Sequence, residues 1–521
     1  MSISVNGFDI KFLSYMQENR ELSFSNAVNV FPDKSIVGLK RSQARINYYL
    51  PDHRSIYCAG DMFHCNITYK EYLAFLKDIT LNKYISSEQD RIKLILFHLF
   101  LYGTVNTSRL YQDIGVSLST KKKDLKALSD FLQPYSLYLD VIKGQGISLR
   151  GNEFLFRTLI MKITSSFCEI DHEQSLIARA ANPPYERLMF ERLQNDTIIT
   201  TGYFSERFRD ILSTFGFDLS YPGKKSLLIY LMIMQKRDNV HNTTLTLPEL
   251  RLTLPLRNIL TTAVENVFVN NLIDSLDHNI YTLSYFDIEL RQTVTHFIQR
   301  IQDKLTTTIS QHKKLYDEIY IYLQKCLVRK KFLYDIPDVN LPKTQQHYPG
   351  IFSYVEDAIT EIEAAYRVNF YTNEKATLSL ILKKFIINSK LTGRNRKNIA
   401  IVTTSTIEKV DFFSANLRCY IDIGQCYNIN INEIQKLGKL DHFITIVFSN
   451  RVSMLLQEKG IPHLKINYYI THRDIDMLIK NGLSSNVNRK INAADFAANV
   501  KNFTQDELIT YLKEQYGNHF I

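Results

Sequence analysis

The chain has 521 residues, with 63 Lys and Arg against 53 Asp and Glu, and a formal net charge of +10. Six cysteines without regular spacing exclude a disulfide framework and point to a reducing compartment. The longest apolar run, "SLLIYLMIM" from Ser226 to Met234, falls short of the roughly 18 residues a bilayer crossing needs, and "MSISVNGFDIKF" shows no basic segment followed by an apolar one.

A cytoplasmic, cofactor-free protein of several domains is therefore expected, with no membrane partner. A modest positive balance matters only where it is concentrated on an element that can lie against phosphates.

In chain order, "FDIKFLSYMQEN" reads as an amphipathic helix and "SFSNAVNVF" as a short second one. "DKSIVGLKRSQARINYYLP" reads as a third, with Lys40, Arg41, Gln43 and Arg45 as polar projections and Pro51 beyond its end. This is helix-turn-helix grammar, although no glycine marks the turn between the second and third helices. His53, Cys58, His64 and Cys65 follow closely, but their spacing matches no standard zinc site, so no metal is expected.

The grammar repeats more clearly further on. Ser86-Ser87-Glu88 opens a helix carrying Ile92, Ile95, Leu96 and Leu99, which Gly103 ends. Asn106 or Thr107 can cap a short helix with Leu110 and Ile114 inward, and Gly115 supplies the turn. Ser117 or Ser119 can cap a third helix whose apolar face is Leu125, Leu128 and Leu132. Ser119, Thr120, Lys122, Lys123 and Lys126 lie at its entrance or on its polar side. Lys121 falls on the apolar face, where its stem can pack while its ammonium reaches solvent. "LYLDVI" and "ISLRG" flank "KGQG", a glycine-turned hairpin that reads as a wing. In a helix-turn-helix the N-terminal residues of the third helix meet the DNA. The candidate DNA-contacting residues are accordingly Lys40, Arg41, Gln43, Arg45, Ser119, Thr120, Lys122, Lys123 and Lys126.

"SLSTKKKDLKALSDFL" and "GQGISLRGNEFLFR", with Gly146, Leu149, Gly151, Glu153 and Arg157, resemble the second winged helix of Mga-like transcriptional regulators. These belong to the wider group carrying PTS-regulation domains (PRDs). The resemblance is carried mainly by residues 87–157 and 300–390. It implies a multidomain, mainly α protein with two winged helix-turn-helix units, two helical PRD bundles and a C-terminal α/β domain like the sugar-phosphotransferase enzyme IIB.

The implied division is 1–70 and 71–154 for the two helix-turn-helix units, 155–305 and 306–392 for the PRDs, 396–485 for the IIB-like domain and 486–521 for a helical tail. It also implies a homodimeric activator acting on promoter DNA, with the PTS phosphocarrier protein as a second partner.

The PRD pattern places a phosphoacceptor histidine seven residues before an arginine, and another seven after a glutamate. Those places hold Tyr230 before Arg237, His296 after Glu289, Tyr322 before Arg329 and Ile381 after Glu374. His296 is thus the one candidate phosphorylation site of the set, with Arg300 one turn along to answer a new negative charge.

After residue 396, "KNIAIVTTST", "CYNININEI", "HFITIVFSN" and "HLKINYYI" read as strands alternating with helices, as in a parallel sheet. A IIB component carries its nucleophilic cysteine in the loop after the first strand. That loop here is Thr403 to Thr406, without a thiolate, and Cys419 and Cys426 fall elsewhere, so the protein is not expected to be an enzyme.

Three alternatives stand beside the regulator reading. A PRD-type RNA-binding antiterminator would need a small N-terminal β-barrel where this sequence looks helical. A phosphotransferase would need the missing cysteine. A protein-interaction scaffold would show no salt-sensitive retention on duplex DNA.

Overall fold

The computed structural model describes residues 3–51, 53–196, 203–216, 218–237, 243–244, 246–247, 252, 254, 257–260, 262–279, 287–305, 309, 312–333, 343–390, 397–440 and 444–483, with a few isolated positions between 500 and 511. Most of the helix expected in the tail 486–521 lies outside the described residues.

The first unit comprises the helices Gly7–Asn19, Phe24–Val30 and Ile36–Asn47, each begun by a polar cap. Asn6 and Asp9 form a reciprocal capping box on the first, while Ser23 and Ser35 accept N–H bonds at the other two. Strands Ile56–Ala59 and Met62–Cys65 form an antiparallel hairpin turned at Gly60, and Glu21–Ser23 adds to its other edge. Phe12 packs edge-on to both Phe31 and Phe63, which seats the hairpin on the helices.

Helix Tyr69–Asp78 packs back on Gly7–Asn19, burying Tyr72, Phe75 and Leu76. The first body therefore extends past the expected boundary at 70. A short parallel pairing of Val5–Asn6 with Tyr84–Ile85 ties it to the next unit.

That second unit runs Glu88–Tyr102, Thr107–Asp113 and Leu118–Leu132, then the hairpin of Leu137–Ile142 with Gly146–Asn152. Thr104–Val105 pairs with the inner strand. Gly146 is required there, because a Cβ on it would sit 2.1 Å from the Val105 carbonyl oxygen. The inner strand runs without a loop into helix Glu153–Phe167, so the expected boundary at 154/155 falls inside a continuous rod.

Helices Glu153–Phe167, Pro184–Gln194, Tyr203–Phe215, Tyr221–Lys236 and Ala263–Ser275 make the first bundle. Ile288–Gln302 was expected in that bundle but packs in the next. Its Leu290, Val294, Phe297 and Ile301 share one core with Leu315, Ile319 and Leu323 of His312–Phe332 and with Val355 and Ile359 of Pro349–Tyr366. The expected boundary at 305 thus moves to before residue 288, because this helix packs its apolar face on the later helices. Helix Thr372–Lys390 completes the second bundle.

All four strands expected near the C-terminus form, as Lys397–Thr403, Ile423–Asn430, Ile444–Val447 and Leu464–Lys465. They make one parallel sheet in the spatial order second, first, third, fourth. Helix Ile407–Leu417 packs against Thr372–Lys390, so this sheet is joined to the second bundle through a shared core.

Candidate nucleic-acid interface

The third helix of the second unit starts at Ser117, whose Oγ accepts the Thr120 N–H at 3.2 Å. The cap is therefore Ser117 and not Ser119. Ser119 stays exposed in the first turn, and the Thr120 hydroxyl lies 2.9 Å from the Ser117 Oγ. Within the same helix Asp124 turns inward. The Arg91 guanidinium donates to its two oxygens at 2.6 and 3.1 Å, and the Tyr111 hydroxyl donates at 2.5 Å. The hydrogen bond to Asp124 raises the Arg91 pKa, and burial pushes the Tyr111 phenol up.

Asp124 is the acidic residue of the first two turns, and this bridge removes it from the surface. Lys122, Lys123 and Lys126 are left as an exposed row with no hydrogen bond or ion pair among the described residues. Lys121 behaves differently from the expectation of a solvent-reaching ammonium: it is half-buried and donates to Ser108 Oγ at 2.9 Å, tying the third helix to the second.

The wing is anchored at its root. Asn152 caps helix Glu153–Phe167, and Glu153 is buried against Arg237, which donates at 2.5 and 2.7 Å. Arg157 donates to Glu153 at 2.9 Å and to Glu265 at 3.0 Å. The motif residues Glu153 and Arg157 thus join the wing to the first bundle. At the tip, Gly144 has φ +81° and Val141 and Lys143 are exposed. Arg150 pairs with Asp140 across the strands at 2.6 Å.

In the first unit the four candidate residues separate. Arg45 forms a two-pronged pair with buried Asp9, at 2.7 and 2.9 Å, and that hydrogen bond raises its pKa. The Gln43 side-chain amide donates to the Ile56 carbonyl at 2.9 Å, and its oxygen receives the Cys58 thiol at 3.3 Å. Both were expected to project toward a partner, and both instead hold the third helix to its own unit. Lys40 and Arg41 are exposed, and the Lys40 ammonium sits 5.0 Å from the centroid of the Phe24 ring. The cysteines and histidines nearby do not converge. Tyr57 faces His64 across the hairpin while Cys58 faces Phe63, which puts His64 and Cys58 on opposite faces.

The bridges Asp9–Arg45 and Arg91–Asp124 join residues 36 and 33 apart, and no local sequence signal announces them.

His296 is exposed on Ile288–Gln302, with Nδ1 3.3 Å from Glu361 Oε1. Arg300 is already paired with Asp357 at 3.1 Å and lies 4.0 Å from Glu361. The three other phosphoacceptor places are sealed. Tyr230 stacks on Phe268, the Tyr322 hydroxyl donates to the Glu374 carbonyl at 3.4 Å, and Ile381 lies in the second-bundle core.

In the C-terminal domain the loop after the first strand leads into helix Ile407–Leu417. The Ile407 N–H donates to Asp277 of the first bundle at 2.8 Å. Lys325 reaches Asp277 at 3.3 Å and Glu408 at 3.4 Å in the same buried junction.

Residues 77–163 match the Mga helix-turn-helix domain, and residues 295–385 match the PRD domain. The first match spans the whole second unit with its wing, and the second spans the bundle that holds His296. Together they support the class of PRD-containing transcription regulators, with regulatory rather than catalytic domains. No curated protein matches the chain. No helix among the described residues is long and apolar enough to cross a membrane.

Proposed function

We propose that this protein is a homodimeric, DNA-binding transcriptional activator that holds promoter DNA with two winged helix-turn-helix units. The observation that carries the reading is the exposed row Lys122, Lys123 and Lys126, on a helix whose Asp124 is turned into a buried bridge, so that its other acid, Asp130, lies only in the later turns. The helix's first two turns present three cations and no exposed acid, which fits a polyanion. The three helices between Gly7 and Asn47 speak against the RNA-binding antiterminator, whose N-terminal unit is a β-barrel.

Regulation is assigned to the second bundle. A phosphoryl group on His296 would meet Glu361 and compete for Arg300, loosening the ion pairs that join Ile288–Gln302 to Pro349–Tyr366. The C-terminal domain is taken as enzyme IIB-like in topology but without transfer chemistry. Its first loop holds threonines, and a carboxylate of the same chain occupies the helix N-terminus beside it.

Genome-wide DNA footprinting of the wild type beside Lys122→Ala/Lys123→Ala tests the reading. Discrete promoter occupancy that disappears in the variant is expected, and undiminished occupancy contradicts it. A companion assay with the phosphorylated general phosphocarrier should label the wild type and not His296→Ala. Equal label on both removes His296 from the account.

A further inference from the structure

The two third helices present different chemistry to the same kind of partner. Along Ile36–Asn47 the exposed positions are Val37, Lys40, Arg41 and Ala44, which recur at helical spacing and form one stripe. Val37 is 60% exposed in the first turn, which leaves its methyl groups open to an apolar contact. Gln43 and Arg45 are held by Ile56 and Asp9, and the Lys40 ammonium leans over Phe24. Arg41 is left as the guanidinium of this stripe with no hydrogen bond or ion pair among the described residues. The corresponding stripe of Leu118–Leu132 carries Ser119, Lys122, Lys123 and Lys126 behind a half-exposed Leu118, and that helix contains no arginine.

These inventories match two kinds of contact. A guanidinium presents a planar fork that fits the O6 and N7 acceptors of guanine, and apolar side chains meet the C5 methyl of thymine. An ammonium is a compact point charge without that fork, well suited to phosphate, and a phosphate contact carries no sequence information. We infer that the two units divide the work on one duplex: Arg41 and Val37 of the first unit select bases in the major groove, while the lysine row of the second unit supplies affinity by neutralising phosphates. The parallel pairing of Val5–Asn6 with Tyr84–Ile85 joins the two units. This inference rests on the DNA-binding reading above.

The test uses the full-length protein and a duplex selected by the wild type from a random pool, with a scrambled duplex as reference. Arg41→Lys keeps the charge and loses the fork. It should leave scrambled-DNA affinity and salt dependence unchanged while reducing the cognate preference roughly tenfold. Each thymine of the selected duplex is then replaced singly by uracil, which removes the C5 methyl alone. The wild type should weaken at one or more positions, Val37→Ala should lose that sensitivity, and Leu118→Ala should retain it.

Lys122→Ala/Lys123→Ala should weaken cognate and scrambled DNA by the same factor. All of these side chains are exposed, so the variants should fold. A cognate preference that survives Arg41→Lys, or a uracil pattern that follows Leu118 instead of Val37, overturns the division of labour while leaving DNA binding intact. Failure of the wild type to retain any duplex overturns both readings.

Discussion

The two N-terminal three-helix units use the same brace with opposite polarity. In the first, the carboxylate belongs to the opening helix (Asp9) and the guanidinium to the third helix (Arg45). In the second, the opening helix supplies the guanidinium (Arg91) and the third helix the carboxylate (Asp124). Either arrangement fixes the third helix. The choice decides which charges remain outside: the first unit commits one of its cations inward, whereas the second commits an anion and leaves Lys122, Lys123 and Lys126 without an exposed acid in the first two turns. A charge count along each helix would have missed this, because the difference lies in which residues are paired.

The largest predicted effect breaks the brace of the second unit. Asp124 and Arg91 are only 2% and 11% exposed, so Asp124→Ala leaves a nearly buried guanidinium without a counter-charge, held by the Ser86 carbonyl and hydroxyl. We expect a loss of about 3–5 kcal/mol in denaturant unfolding of the N-terminal region. A loss below about 1 kcal/mol would show that the bridge is not what fixes the helix. Arg45→Ala should cost less, about 2–3 kcal/mol. Arg45 is 30% exposed, and Asp9 keeps the Asn6 N–H at 2.9 Å. Equal losses in the two units would remove the distinction drawn from burial.

The junction at Glu408 sharpens the comparison from the other side, since two carboxylates there share one ammonium. Burial first, and then the charge of Asp277, raises the Glu408 pKa to about 7, against the pull of Lys325; His278 lies in the same junction. A group with a raised folded-state pKa contributes stability that is complete below its ordinary carboxylate range and is lost as pH rises through about 7. Asp277 is shifted downward, so its own contribution changes only at more acid pH. Relative to Glu408→Gln, wild-type Tm should therefore fall between pH 5 and pH 8; the imidazole of His278, which burial holds down at about 3, acts in the opposite direction but equally in both proteins. Parallel profiles would contradict the assignment. The smallest stability effect is expected for Lys122→Ala/Lys123→Ala, within about 0.5 kcal/mol of wild type. A larger loss would mean that these lysines brace the fold instead of facing a partner.

Much of the second unit is legible from sequence because its signals are local. Gly103 and Gly115 both adopt positive φ where the chain turns, and Ser87, Asn106 and Ser117 each cap the helix that follows. The C-terminal strands are legible for the same reason, as short stretches that alternate with helical patterns. What escapes the sequence is long-range. Gln43 and Arg45 look like free projections until Ile56 and Asp9 come near, and the half-buried Lys121 makes sense only beside Ser108. Helix Ile288–Gln302 has an apolar face that would serve either bundle, and only packing assigns it to the second.

The central claim is that the cationic face of Leu118–Leu132 engages phosphates. Its most direct test is fluorescence anisotropy of a promoter duplex against salt concentration, for the wild type and Lys122→Ala/Lys123→Ala. If each protomer of a dimer neutralises about four phosphates, the wild-type slope of log affinity on log salt is near −7, and removing two lysines per protomer makes it shallower by roughly 3–4. Identical slopes and affinities for the two proteins would contradict the account.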